Sequence, residues 1–437
     1  MHTLAFLDPG HFHAALTLRE RHPRVRDEIF VYAPAGSELD DFLALIDAFN
    51  RRPERPTAWR PVVRAGEGSL DRLLAERPGE VVILAGRNDR KIGLMRRLHD
   101  AGLHVLADKP WLTGAEGLDD LRHTLAGGPL AIEIMTGRHE ITSILIQKLV
   151  GDAEVFGDFE SAGPGSPAIR IGSVHHLEKT VNGAPLRRPA WFFDVRVQGD
   201  GVADIPTHMV DQAQRVVAAV RARSTHSKGE APELTGVRRW ATTVPLALFT
   251  RVTGEREFPP EIRDAVTGSE LSYHGNAELA FRLDGIAVAL ETRWDLSAPA
   301  GGGDSHRTVI RGTRAEIMVE QGASTGFRRR LSVMPREDAE RLGSALERTV
   351  AAWQGEHPGV ALAAADSGWE IRVPRRLDTG HESHFPLVLA EFLALVERGS
   401  APPALLAATL AKYALLANAS SEARRPTRPG SGRPVGR

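Results

Sequence analysis

The chain has 437 residues, with 55 Lys and Arg against 56 Asp and Glu, for a formal net charge of −1. Its 42% hydrophobic and 25% charged residues are those of a soluble globular protein, and its length predicts two domains rather than one core. The charge balance offers no electrostatic case for nucleic acid or an anionic membrane. The lack of cysteine excludes disulfides, thiolate metal ligands and cysteine nucleophiles.

The chain enters an apolar strand after Met1-His2-Thr3, with no basic leader, long apolar run or small-residue cleavage site. A cytoplasmic protein is therefore expected, and no stretch reaches the roughly 18 to 20 apolar residues of a membrane span. Strands are expected at 3–7, 28–33, 61–64, 81–85, 103–107 and 130–135, and helices at 13–21, 39–49, 69–77, 91–101 and 117–125. Ser69 is the expected N-cap of its helix, with Asp71 in the first turn. This alternation predicts a doubly wound parallel sheet, a Rossmann-like dinucleotide-binding domain over residues 1–130.

A helix follows at 141–150, and past about residue 230 the pattern becomes antiparallel. Strands at 278–283 and 286–294 flank Asp284-Gly285, a strong hairpin signal, and strands at 307–311 and 315–319 flank Gly312-Thr313. Helices are expected at 385–397 and 403–419. Residues 131–423 then form a substrate-binding α+β domain with a large, mainly antiparallel open sheet, its final helices able to pack back on the first domain. An exposed face on that sheet favours a homodimer or homotetramer. Residues 163–167 and Gly301-Gly302-Gly303 read as loops, and residues 424–437 as a disordered basic tail.

Three places carry chemistry. The first is Ala101-Gly102-Leu103-His104-Val105-Leu106-Ala107-Asp108-Lys109-Pro110: a helix stop, a buried strand, then a charged pair ended by proline. Lys109 stands at the carboxyl edge of a strand, where open α/β sheets bind ligands. The second is the turn Asp8-Pro9-Gly10-His11-Phe12-His13. Of the G-x-G-x-x-G glycines that let backbone N–H groups approach a pyrophosphate, it keeps only Gly10. His11 and His13 suit helix capping or phosphate contacts. The pair could also ligate a metal, but without a clear third ligand that is the minority reading, and no metal is expected. The turn Ala85-Gly86-Arg87-Asn88 could line the same crevice or be an ordinary turn.

The third is Gly199 to Asp211. A helix starting near Pro206 would put Asp204 near His208 and Thr207 near Asp211, four residues apart on one face. A carboxylate beside an imidazole suits proton transfer to or from an alcohol near neutral pH. Upstream, His175, His176 and Lys179 read as polar groups of a loop-rich region. Trp191 could stack on a sugar but more often would be core. Arg138, after the last strand of the first domain, is a substrate-side candidate.

The Ala101–Pro110 segment resembles the A-G-K-H-V-x-x-E-K-P segment of the Gfo/Idh/MocA oxidoreductases, with Asp108 in place of the usual Glu. Gly201, Asp204, His208 and Asp211 resemble that family's second motif, with Pro206 replacing a glycine. Leu7 to Leu16 is similar to a branch with the turn Leu-Asp-Pro-Gly-His-Phe-His and a distinctive C-terminal domain. The resemblance implies an NAD(P)-dependent oxidoreductase passing a hydride between nicotinamide and the hydroxyl-bearing carbon of a sugar, glycoside or cyclitol. It implies Lys109, His208 and Asp204 as catalytic residues. Asp8, Gly10, His11, Phe12, His13, Ala85, Gly86, Asn88, Asp108 and Lys109 fall at the cofactor, and Lys109, Arg138, His175, His176, Lys179, Trp191, Asp204 and His208 at the substrate. The end of the second strand, Tyr32 to Glu38, has neither acid nor arginine at the usual place, so NAD is only slightly favoured over NADP. The alternatives are a glycosidase or lyase working by transient oxidation and elimination, and a non-catalytic sensor.

Overall fold

The computed structural model describes residues 1–160, 166–181, 184–223 and 230–425. The tail expected at 424–437 and the loop expected at 163–167 fall largely outside the described residues. Two compact units are present. One comprises Met1–Glu140, Arg196–Gly199 and Thr379–Ala417, the other Ile141–Val195, Asp200–Asp378 and Asn418–Arg437.

The first unit is a parallel sheet of β1 (Leu4–Leu7), β2 (Glu28–Ala33), β3 (Arg60–Ala65), β4 (Val81–Leu84), β5 (His104–Asp108) and β6 (Ala131–Ile134), in the order β3-β2-β1-β4-β5-β6. Central strands β1 and β4 are buried at every position, which is why they read as unbroken apolar runs. The order reverses between β1 and β4, and doubly wound sheets open their ligand crevice there. Between the strands run α1 (His13–Leu16), α2 (Ser37–Arg51), α3 (Ser69–Glu76), α4 (Lys91–Asp100) and α5 (Leu118–Leu125).

Two local expectations fail. The helix expected over 13–21 is a single turn, because the Thr17 hydroxyl donates back to the Ala14 carbonyl (2.7 Å) and the chain leaves helical geometry. Ser69 does not cap α3. Gly68 holds that position at φ 71°, and the Ser69 hydroxyl turns back to the Gly66 carbonyl.

From the far end of the chain come α11 (Phe385–Arg398) and α12 (Pro403–Ala423). Phe385, Leu389 and Phe392 join Leu4, Phe6 and Phe42 in one core, while Tyr413 joins Leu7, Tyr32 and Trp111 in another. Glu133 of β6 is buried, takes an ion pair from the buried Lys412 and accepts from the Tyr413 hydroxyl. The Tyr413 oxygen accepts the Trp111 N–H at 3.0 Å, and the two rings stack at 5.6 Å.

The second unit holds α6 (Ile141–Gly151), β7 (Ile169–Glu178), two-residue strands β8 (Thr180–Val181) and β9 (Ala184–Pro185), α7 (Val195–Gln198, whose last three residues count with the first unit), α8 (Pro206–Arg221), β10 (Glu233–Pro245), α9 (Leu246–Thr253), β11 (Val266–Thr267), β12 (Glu270–Leu283), β13 (Ile286–Ser297), β14 (Ser305–Arg311), β15 (Ala315–Gln321), β16 (Arg330–Pro335), α10 (Ala339–Ala352), β17 (Ala361–Ala365) and β18 (Gly368–Arg372). Its main sheet runs β10-β12-β13-β7-β14-β15-β16-β18-β17 and is antiparallel except where β7 pairs parallel to β13. Asp284 and Gly285, at φ 49° and 79°, make the expected turn with both central residues left-handed. The loop-rich reading of 173–179 is corrected. His175 and His176 lie in β7, hydrogen-bonded between β13 and β14, and only Lys179 lies past the strand. Among the described residues no helix is long and apolar enough to cross a membrane.

Replacing Lys412 with Met strands the buried Glu133 charge, and removing one partner of a buried ion pair costs about 3–5 kcal/mol. Urea unfolding of Lys412→Met is expected to show that loss, and of Glu133→Gln/Lys412→Met a smaller one.

Candidate active site

At the carboxyl edge of the first sheet a buried cation does the arranging. Lys91, fully buried at the start of α4, donates to the Asn88 side-chain oxygen, to the Asp108 carbonyl at 2.8 Å and to the Pro110 carbonyl at 3.3 Å. The half-buried Lys109 is thus held between two carbonyls bound to one ammonium, and its peptide bond to Pro110 is cis. Trp111 extends the clamp through its indole N–H to Ala107 and its backbone N–H to Tyr413. Asn88 is buried and donates to the Gln198 carbonyl at 2.8 Å.

The two turns at the sheet's reversal point lie against each other. His11 N–H donates to the Ala85 carbonyl at 3.0 Å, and Gly10 N–H to the Asp8 carbonyl at 2.8 Å. A Cβ on Gly86 would collide with the Asp8 backbone carbonyl, so only glycine permits this approach. Asp8 itself is left-handed at φ 44° and does not cap α1, whose N-cap residue Phe12 makes no side-chain cap either. Burial, opposed by Arg90, raises the Asp8 pKa above the usual carboxylate value. A single-turn helix leaves little dipole for an anion, which corrects the expectation of a helix N-terminus behind this turn. The Glu38 carboxylate stands over Gly10 and pairs with Arg87 at 3.1 Å.

The structure brings His11, His13 and Asp108 together. His13 Nδ1 is 2.9 Å from the Asp108 carboxylate and His11 Nδ1 is 3.4 Å from the same oxygen. Burial would raise the Asp108 pKa, but the charge and hydrogen bonds of the two histidines hold it well below the usual range. Burial and His13 push His11 down to about 4, so it is neutral at physiological pH. Phe12 between them is exposed, its ring 4.6 Å from each imidazole. Arg138 lies in the turn after β6, and its neighbour Thr136 meets His381 at 3.1 Å.

In the second unit a different cluster forms around Asp304. Its carboxylate takes His175 Nδ1 at 3.1 Å, the His176 backbone N–H at 3.1 Å and the Lys179 ammonium. Burial raises the Asp304 pKa, yet His175 and Lys179 outweigh it and hold the group far below the usual carboxylate range. Burial, with His175 and Arg329, also keeps His306 neutral. The His175 ring lies 5.1 Å from Trp294 and 5.5 Å from His306. Arg188 lies over the Phe192 and Trp294 rings and donates to the carbonyls of His176 and Leu177. The Asp204 charge acts on both Arg188 and Tyr273, which joins Asp204 electrostatically to this cluster. Trp191 is buried in the turn before it.

Asp204 is not on the helix with His208. It sits in the turn before α8, accepts the Thr207 hydroxyl on its carbonyl at 2.7 Å, and is buried, whereas His208 is in the first helical turn and half-buried. That turn is shaped by Asp200, which sequence reasoning passed over. Asp200 is fully buried, takes the N–H groups of Val202 and Ala203 on one oxygen, and binds Arg239, Ser420 and Arg424 on the other. The Asp-Gly pair at 200–201 was its available signal. Lys91, Arg188 and Asp304 had none, since their roles rest on burial and distant partners.

Residues 145–424 match the family model described as "Putative oxidoreductase C terminal domain". A solved "putative oxidoreductase" from Parabacteroides merdae is 33% identical, with TM-score 0.91 over 97% of both chains. Levoglucosan dehydrogenase, solved with NADH and levoglucosan, shares the fold at 14% identity and TM-score 0.60, covering 97% of this chain and 98% of that one. GenD2 from gentamicin A biosynthesis, solved with NAD, does so at 14% identity and TM-score 0.57, covering 97% and 95%. No protein with a curated description matches the sequence.

A carboxylate whose folded pKa lies below its unfolded value stabilises fully above the unfolded value and loses that contribution as pH falls toward the folded one. Asp304, held far below 3.8, therefore weakens the fold as pH drops below about 4. Asp304→Asn is expected to lower stability at neutral pH and to flatten the acid limb of a series of urea midpoints. An acid limb parallel to the wild type would assign that limb to other groups.

Proposed function

The chain belongs to the family of the putative oxidoreductase C-terminal domain, and from that premise and its resemblance to the Gfo/Idh/MocA oxidoreductases we propose that it oxidises or reduces a carbinol carbon of a sugar, glycoside or cyclitol with NAD. Residues 1–130 carry the cofactor in this reading and 131–423 the substrate, in a homodimer or homotetramer. The observation that carries it is Lys109, fixed at the carboxyl edge of β5 by the Lys91 clamp, in a sheet whose strand order is that of dinucleotide-binding folds. The solved structures of like fold that hold NAD or NADH support the cofactor, and levoglucosan supports the substrate class.

The residues present fit a dinucleotide in one respect and strain it in another. The close approach of Gly86 to Asp8 admits only glycine, as the tight first turn of a dinucleotide site does. Asp8 and Asp108 bring negative charge that a pyrophosphate must avoid or have neutralised. Glu38 over Gly10 supports NAD over NADP, because a carboxylate can accept a ribose hydroxyl and repels a 2′-phosphate. Gly10, His11, Phe12, His13, Ala85, Gly86 and Asn88 would hold the cofactor, which supplies hydride chemistry at its nicotinamide.

The protein supplies orientation and proton handling. Lys109 takes the hydroxyl proton as its amine, or returns it in the reverse direction. Asp204 and His208 hold sugar hydroxyls, with His208 the second proton-handling group. The single-turn α1 and the acidic first turn favour one other reading, a sensor that has lost the cofactor.

Denaturing the purified protein and analysing what it releases separates the two. The expected result is released NAD, or a rise in melting temperature on adding it. Neither, together with no nicotinamide reduction on a panel of sugars, overturns the oxidoreductase reading. Lys109→Ala is expected to lower kcat by about 100-fold or more, as loss of a general base does, while NAD binding stays within a few-fold.

A further inference from the structure

We propose that His11, His13 and Asp108 form a binding site for one divalent transition-metal ion of the zinc class. The three residues each offer one donor atom, and these atoms all lie within 4.8 Å of one another. Two of the edges are known in detail, 2.9 Å and 3.4 Å from the imidazole Nδ1 atoms to one carboxylate oxygen. Zinc with bonds of about 2.0–2.1 Å in tetrahedral geometry sets its ligands about 3.3 Å apart. Two imidazoles and a carboxylate leave further positions open, the pattern of reactive rather than sealed metal sites.

A second observation points the same way. The buried His11 Nδ1 makes only a long contact, 3.4 Å, to the carboxylate oxygen that His13 Nδ1 holds at 2.9 Å. As a purely hydrogen-bonded unit the trio leaves this buried nitrogen weakly bonded, which is costly. A cation at the centre satisfies all three. The surroundings hold the donors in place. Lys91 anchors the Asp108 backbone, and the Phe385 and His381 rings pack on His13 at 4.6 Å and 5.9 Å. Such outer contacts fix ligand orientation in metal sites. The nearby Lys109 ammonium opposes a cation here, as its effect on His11 shows, so affinity depends on all three ligands.

The consequence bears on the first turn. Where a glycine-rich turn offers bare N–H groups to a pyrophosphate, this one offers a buried carboxylate. A divalent ion turns that repulsion into attraction and leaves positions for phosphate or substrate oxygens. This second part rests on the cofactor reading; the metal site itself does not.

The test uses the full chain, stripped with chelator, and titrated with Zn²⁺ alone by calorimetry and with Co²⁺ alone by visible absorption, in the absence of nucleotide. The expected result is one saturable site per chain and a cobalt d–d band. His13→Ala and Asp108→Asn should each weaken it at least tenfold, more than the roughly 10–100-fold that outer contacts alone command being reached when both are changed. His11→Gln, which removes one donor and keeps the volume, guards against a variant that fails to fold, with circular dichroism checking each. A second cluster, His99, Asp100 and His123, is more exposed and serves as control: His123→Ala should leave the site intact. No saturable uptake, uptake unchanged in His13→Ala and Asp108→Asn, or uptake lost in His123→Ala would falsify the proposal. NAD binding equal with and without zinc would leave the oxidoreductase reading standing and remove only the link between metal and phosphate.

Discussion

The first unit turns on a buried ammonium. Lys91 is fully buried, and a buried charge is tolerated only when it is well bonded. Its bonds include an amide oxygen and two main-chain carbonyls, all belonging to the strand ends that carry chemistry. The carbonyls of Asp108 and Pro110 would otherwise be free to turn, and with them the lysine between. The same ammonium draws in Asn88, whose amide reaches the Gln198 carbonyl, so the turn after β4 and the edge of β5 are positioned together.

A comparable economy operates in the second unit. Asp304 lies in the segment before β14 and gathers an imidazole, a backbone N–H and an ammonium from β7 and its end. Asp200 does the same for the loop that presents Asp204. In each case one acidic group with several polar partners fixes several side chains at once. Such networks define a single arrangement, because partial occupancy is penalised by desolvation.

How much of this was legible depends on where the determining partners lie. The strands at 81–84 and 104–108, the Asp284-Gly285 hairpin and the lysine before Pro110 announce themselves through local runs and turn residues, and the fold class followed from them. The helix expected at 13–21 stopped short because one hydroxyl, Thr17, competes with the helix for a carbonyl, which apolar periodicity does not register. Strand β7 was hidden because its ladder partners lie more than a hundred residues away, and its histidines and Gly172 resemble loop composition. The trio of His11, His13 and Asp108 was two-thirds visible. The third member entered only when β1 and β5 were placed in one sheet, and with it the reason for a histidine where a glycine was expected.

The placement of Lys412 and Tyr413 has a consequence for biosynthesis. Domains generally fold as they emerge from the ribosome, N-terminal first. Here Glu133 and Trp111 are made early, whereas the side chains that satisfy them come some 280 to 300 residues later. Until α12 emerges, the first sheet carries an unpaired buried acid and lacks part of its core. The nascent unit therefore waits, incompletely packed, through the synthesis of the whole second unit. Contacts of such long sequence separation slow folding, and the interval exposes apolar strands that a chaperone would have reason to cover.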